Sequence, residues 1–320
     1  LMAVFFLLIG LEIERELIVG ELSDLRKAAL PIFAVVGCVL LPALIYFVLN
    51  KDLPTRSGFG IPMATDIAFA LGILALLGRK VPLSLKVFLT AFAIIDDLIA
   101  ILMIVFFYAG DINLMALAVA GGVFVLLLVL NRSRVRALPV YLLLGLVMWY
   151  AILQSGVHAS IAGVLLAFAI PFTDGSSDSP SYKLQHALHK PVAFGIMPIF
   201  ALANTGVTLI GSSLSNLFAP NTLGIFLGLV AGKPLGITLF SALATRLKVA
   251  SLPEDISMKH LLGAGFLGGI GFTMSIFITF LAFGDGELAE SSKLAIILGS
   301  LTSGLIGYFL LSRQTHKEVT

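Results

Sequence analysis

Charge is what this 320-residue chain has least of. Asp, Glu, Lys and Arg together make up 12% of it, about half the usual share of a soluble domain. There is one cysteine, Cys38, so no disulfide framework exists, and a small buried hydrophobe is the natural reading. No His-Glu-x-x-His occurs, which removes the zinc proteases. No Gly-x-Ser-x-Gly occurs either, which removes the serine hydrolases built on a nucleophile elbow. The apolar stretches do not alternate with polar residues, as a membrane β-barrel requires. No nucleic-acid partner and no cofactor are expected.

What is there is hydrocarbon. Hydrophobic residues make up 59% of the chain and its mean hydropathy is +1.07, the composition of an all-α polytopic membrane protein. Apolar runs of about 17–26 residues fall at roughly 1–18, 28–50, 59–77, 82–108, 114–131, 138–153, 156–172, 185–210, 222–243, 260–283 and 292–312. Short connections such as Lys51-Asp-Leu-Pro-Thr and Asn131-Arg-Ser-Arg separate them. The longest polar loop, 173–181, reads as a plain linker. The chain opens inside an apolar run, at Leu1-Met2-Ala3-Val4-Phe5, with too few residues before Glu12 to span. We therefore expect a fragment, whose missing upstream helix would return the N-terminus to the cytoplasm.

Basic residues sort these runs by side. One set of alternate loops holds only Lys51, Arg56 and Lys293, while the other holds Arg26, Lys27, Arg79, Lys80, Arg132, Arg134, Arg136, Lys183, Lys190, Arg246, Lys248, Lys259, Arg313 and Lys317. The rich side is the cytoplasmic one, which places the C-terminus inside. The same sorting isolates the charges at depth. All the acids but Asp66, Asp96 and Asp97 fall in loops, tails or near span ends, and Lys233 is the one deep base.

An ionised Asp at a helix centre costs roughly 3 kcal/mol on insertion scales. Two in succession, at the midpoint of the run from 82 to 108, are not there for packing. Intramembrane acids of this kind face a polar interior and carry ions or protons. Neighbours on a helix point about 100° apart, so one carboxylate can face a cation path while the other engages a partner. A carboxylate withdrawn from water can be neutralised by a proton or by a cation. Lys233 stands beside glycines at every fourth position, 224, 228, 232 and 236, a flat ridge for close helix packing. Pro234 should break its backbone ladder. Lys233 serves either as a structural bridge to Asp96 or in proton release.

Two runs look interrupted. Ile61-Pro-Met-Ala-Thr65-Asp66-Ile-Ala-Phe69 and Gly268-Gly-Ile-Gly-Phe-Thr273-Met-Ser-Ile-Phe277 each place helix-weakening residues, then a Thr and a Phe four later, inside an apolar run. The first is flanked by 28–50 and 82–108, the second by 222–243 and 292–312, and they start from opposite sides. That is the pattern of inverted repeats, about 28–108 and 222–312, with paired discontinuous helices. Asp66 would offset two facing helix N-termini and Lys233 the opposing C-termini.

Six stretches then carry a resemblance over the chain in order: Gly10-Leu-Glu12-Ile-Glu-Arg15-Glu16-Leu, Ala64-Thr65-Asp66-Ile-Ala-Phe-Ala-Leu-Gly72, Ala93-Ile-Ile-Asp96-Asp97, Ser155-Gly-Val-His158-Ala, Gly232-Lys233-Pro-Leu-Gly-Ile and Gly269-Ile-Gly-Phe-Thr-Met-Ser-Ile-Phe277. Together they resemble the NhaA sodium/proton antiporters of bacterial inner membranes. The resemblance implies one transporter domain over 1–320, with an NhaA-like fold and two crossing discontinuous helices. It implies exchange of Na+ or Li+ for H+ by alternating access, and a homodimer in the lipid bilayer. Asp97 would be the principal cation and proton carrier, with Na+ held at Asp97 and Asp96. Asp96 would pair with Lys233, and Thr65 would lend an oxygen. Candidates for pH response are Glu12, Arg15, Glu16, His158 and His186, although Gln185 stands where relatives often carry a Glu.

Three other classes compete. An intramembrane aspartyl protease needs carboxylates converging from two helices, which adjacent residues on one helix do not supply. An ion channel would pass ions without proton counterflux. A sodium-coupled solute symporter would need a roomy substrate cavity.

Overall fold

In lipid no water satisfies an exposed peptide group, so each apolar run must close its own hydrogen bonds as a helix. A computed structural model of the chain, which describes residues 1–172, 178–206 and 216–314, is accordingly helical, with no strand among the described residues. The helices are α1 (Met2–Ile18), α2 (Leu25–Asn50), α3 (Ile67–Leu77), α4 (Leu83–Phe107), α5 (Leu114–Arg132), α6 (Leu138–Gln154), α7 (Ile161–Ala169), α8 (Pro180–Pro191), α9 (Met197–Asn204), α10 (Pro220–Leu227), α11 (Lys233–Arg246), α12 (Met258–Gly268), α13 (Phe272–Phe283) and α14 (Glu287–Ser312). A 3-10 segment, Pro54–Met63, precedes α3. Single π-turns, Val192–Ile196 and Gly228–Gly232, join α8 to α9 and α10 to α11. Among the described residues, 7 helices are long and apolar enough to cross a membrane, or 8 with the bent pair α12 and α13 as one span.

Several expectations need correction. The run at 156–172 yields only the nine-residue α7. Gly156 adopts φ +81°, and a Cβ there would lie 2.0 Å from the Asp111 carbonyl oxygen, so the chain turns before it can coil. The stretch expected at 185–210 begins its helix at Pro180, capped by the Ser179 hydroxyl; residues 207–210 lie outside the described part, as do Lys317 and most of the linker at 173–181. Pro234 interrupts the α-helical ladder, as expected, without ending the helix. It has no N–H to offer the preceding turn, and the wider π-turn at 228–232 carries the helix into α11.

The chain forms two compact units. The first contains Leu1–Ser23 and Ile101–Ala203, the second Asp24–Ala100 and Asn204–Thr320. The first gathers α1, the end of α4 and α5 to α9 around Leu11, Leu127, Tyr141, Met148 and Ala167, all buried. Gly163 lets α7 come so near α1 that a Cβ would meet the Ala3 carbonyl at 2.2 Å.

The second unit is built on the glycine ridge. Lipid tails are as apolar as leucine, so close packing and hydrogen bonding hold membrane helices together. Added methyls at Gly224, Gly228, Gly232 and Gly236 would strike Tyr46, Pro62, Pro42 and Gly37 respectively. The numbers on α2 fall as those on the ridge rise, so the two helices run antiparallel along it. At Gly37 and Gly236 backbone meets backbone, each virtual Cβ lying 2.1 Å from the other's carbonyl oxygen.

Candidate functional site

All four deep charges lie within the second unit. Asp66, Asp96, Asp97 and Lys233 are each at most 2% exposed, far below what charged side chains show without partners. Their setting is a pair of helix interruptions that cross. The first runs as 3-10 helix to Met63, is extended at Ala64, and restarts as α3 with Asp66 as its N-cap. The second bends by 49° between α12 and α13.

Each interruption exposes peptide groups that would cost several kcal/mol if left unpaired in an apolar medium. They pair with one another. The Asp66 N–H donates to the Ile270 carbonyl at 2.6 Å, the Thr65 hydroxyl to the Gly268 carbonyl at 3.0 Å, and the Ser275 hydroxyl to the Ile61 carbonyl at 2.7 Å. The Asp66 carboxylate accepts from the Phe69 N–H at 3.4 Å and from the Thr273 N–H at 3.1 Å. It also takes a short hydrogen bond from the Thr273 hydroxyl. One carboxylate therefore caps two helix N-termini and opposes the positive end of both dipoles.

Lys233 completes the arrangement at the opposite pole. Its Nζ donates to Thr65 Oγ1 at 2.6 Å, and Thr65 passes its own proton toward Gly268 at the end of α12. The ammonium thus lies on the negative end of that helix. Its distance to Asp96 Oδ2 is 3.8 Å, so the ion pair is present but longer than the contact with Thr65. Asp96 Oδ1 accepts from the Cys38 thiol at 3.6 Å. Asp97 is the next residue of α4, turned about 100° away by helix geometry.

The pH-response candidates lie in the first unit, and most of them gather where α1 meets α8. Glu12 Oε1 is 3.9 Å from His189 Nδ1. The Arg15 guanidinium lies 5.9 Å above the Tyr182 ring, which stacks on His186. Glu16 Oε2 accepts from the Glu21 N–H at 3.0 Å, so Glu12 and Glu16, one turn apart, face different partners. His158 lies elsewhere, in the turn before α7, where its Nδ1 accepts from the Ser160 N–H at 3.4 Å.

Several polar groups escaped the sequence reading. Ser300 Oγ accepts from the Gly271 and Phe272 N–H groups at 3.2 and 3.1 Å, capping α13 from a neighbouring helix. Ser303 donates to the Phe266 carbonyl at 2.7 Å. Serines inside an apolar run look like small packing residues, and only the break opposite them reveals their use. Glu14, which the sequence did not single out, is buried against the Ser181 hydroxyl at 3.3 Å.

Crossed, interrupted helices that enclose three carboxylates and a lysine define a membrane transporter of small ions. Residues 1–311 match the family described as Na+/H+ antiporter 1, and the chain belongs to that family. It is 58% identical over 318 residues to the Na(+)/H(+) antiporter NhaA of Cytophaga hutchinsonii, covering 99% of this chain and 82% of that protein. It is 57% identical over 311 residues to the protein of that name from Flavobacterium psychrophilum, covering 97% and 81%. Against one from Escherichia coli O1:K1 the identity is 53% over 322 residues, covering 100% and 83%.

Proposed function

We propose that the chain exchanges Na+ or Li+ for H+ at Asp97, with Asp96 assisting, by alternating access of one carboxylate site. The observation that carries this reading is the burial of two successive carboxylates beside the crossed breaks, with a lysine 3.8 Å from the first. A proton and a Na+ cannot both neutralise Asp97, so each displaces the other, and that mutual exclusion is the coupling. Asp66 holds two helix N-termini, and Lys233, through Thr65, holds the C-terminus of α12. Thr65 offers its hydroxyl to the cation when Lys233 withdraws.

Helices α2 to α4 and α10 to α14 form the two inverted repeats, about 28–108 and 222–312, of a single transporter domain. Their matching order, long helix, broken segment, long helix, supports this. Glu12, Arg15, Glu16, His158 and His186 adjust the pH response. The protein resides as a homodimer in the bacterial inner membrane, C-terminus in the cytoplasm, and expels cytoplasmic Na+ electrogenically against entering protons. The loop asymmetry in basic residues supports the orientation.

The test is Na+-driven proton flux in proteoliposomes, with Asp97→Asn set against wild type. We expect no flux from the variant. For wild type, apparent Na+ affinity should weaken about tenfold for each unit the pH falls, in the range where one proton competes. Equal flux from Asp97→Asn would remove Asp97 from the mechanism. A flat affinity with only the maximal rate changing would replace competition by a conformational gate.

A further inference from the structure

A second polar site lies in the second unit, away from the buried charges. A cleft of about 590 Å³ opens between the start of α2 and the loop joining α11 to α12, lined by Arg26, Thr245, Lys248, Ser251, Met258 and the apolar 249–250 and 252. Arg26 and Lys248 are both exposed. Among the described residues no carboxylate lies within ion-pair distance of either charged group. Asp24 spends an oxygen on the Arg26 N–H at 2.9 Å as the cap of α2, while Glu254 and Asp255, in the same loop, do not line the cleft. Arg26 and Met258 stand in the first turns of α2 and α12, so two positive helix ends border the space as well.

Lys248 is held there by the backbone. It adopts φ +57°, a conformation that costs an L-residue about 1 kcal/mol or more. Its N–H bonds the Thr245 carbonyl at 3.2 Å, and the turn brings its side chain to the wall of the cleft.

What enters the cleft is indicated by the surface leading to it. Leu235, Leu239 and Leu243 on α11 and its C-cap Leu247 recur at every fourth position and are all exposed, a continuous apolar stripe that ends beside Lys248. Val249, exposed as well, continues it into the cleft wall. An anion alone would use the two cations and ignore the stripe. A phospholipid uses both, its phosphate between Arg26 and Lys248 and an acyl chain along the leucines. We infer that this cleft binds the headgroup of an anionic phospholipid.

The test uses the full chain in detergent micelles and native mass spectrometry, with dioleoylphosphatidylglycerol and dioleoylphosphatidylcholine as probes. Each basic residue near an anionic lipid is worth about 1 kcal/mol, so R26Q/K248Q should weaken retention of phosphatidylglycerol roughly thirtyfold. Lys248→Gln alone should weaken it roughly fivefold, which keeps the test available if the double variant does not fold. A control pair, K51Q/R56Q, removes equal charge from exposed positions beyond the far end of α2 and should leave retention unchanged. Unchanged retention by R26Q/K248Q overturns the site, and an equal loss in the control pair reduces it to general surface charge. Phosphatidylcholine retained as tightly as phosphatidylglycerol, or inorganic phosphate displacing the lipid at equal concentration, overturns the assignment to an anionic lipid.

Discussion

The two broken segments meet the same difficulty with different chemistry. Both leave peptide groups exposed at depth, and both restart as a helix with a Thr and a Phe nearby. The first answers with a charge: Asp66 caps its own helix and the opposite one. The second has no ionisable group at its break. It has glycines, and it takes its acceptors from outside, from Asp66 and from Ser300 on α14. One side supplies the polar group and the other supplies the room. The crossing is therefore asymmetric in side chains even though it is matched in backbone.

That asymmetry sets the order in which substitutions should hurt. Asp66→Ala strands the Phe69 N–H, the Thr273 N–H and the Thr273 hydroxyl at once, and we expect a loss of about 3–5 kcal/mol. Thermal unfolding in detergent reads it directly; a melting temperature within a degree or two of wild type would mean that Asp66 is not the shared cap. Gly269→Ala tests the room on the other side. Its Cβ would fall 2.2 Å from Ser303 Oγ and 2.3 Å from the Leu229 carbonyl oxygen, for a cost of about 1–3 kcal/mol. Gly72→Ala, whose Cβ meets nothing within 4 Å inside α3, is the contrast and should gain about 0.5–1 kcal/mol. If both glycine variants shifted the melting point alike, close approach would not explain Gly269. Ser300→Ala, which removes one acceptor shared by two N–H groups, should cost about 1 kcal/mol. Its partner test, Ser300→Thr, keeps the oxygen and should recover part of the loss.

The sequence made the depth of the charges legible because charge is so scarce in it. Asp66, Asp96, Asp97 and Lys233 stood out against long apolar runs, and the structure gathers all four in one unit. The breaks were legible from their glycines and prolines, and the ridge from its spacing of four. What stayed hidden was partnership. Nothing in a linear pattern says that Lys233 lies nearer Thr65 than Asp96, because both distances depend on how two breaks cross. Cys38 read as a small hydrophobe, and its contact with Asp96 comes from α2 packing on α4. The short α7 was missed because an apolar run does not reveal a turn forced by one glycine at positive φ.

The mutual capping of the two breaks also has a timetable. Asp66 leaves the ribosome 207 residues before the Thr273 that donates to its carboxylate, and at about 5–20 residues per second that is a wait of roughly 10–40 s. For most of that interval the first broken segment lacks the partners that α12 and α13 supply. It cannot settle as an isolated unit in the bilayer. The early half of the chain must be kept hydrated, or held by the insertion machinery, until the late half arrives to close the crossing.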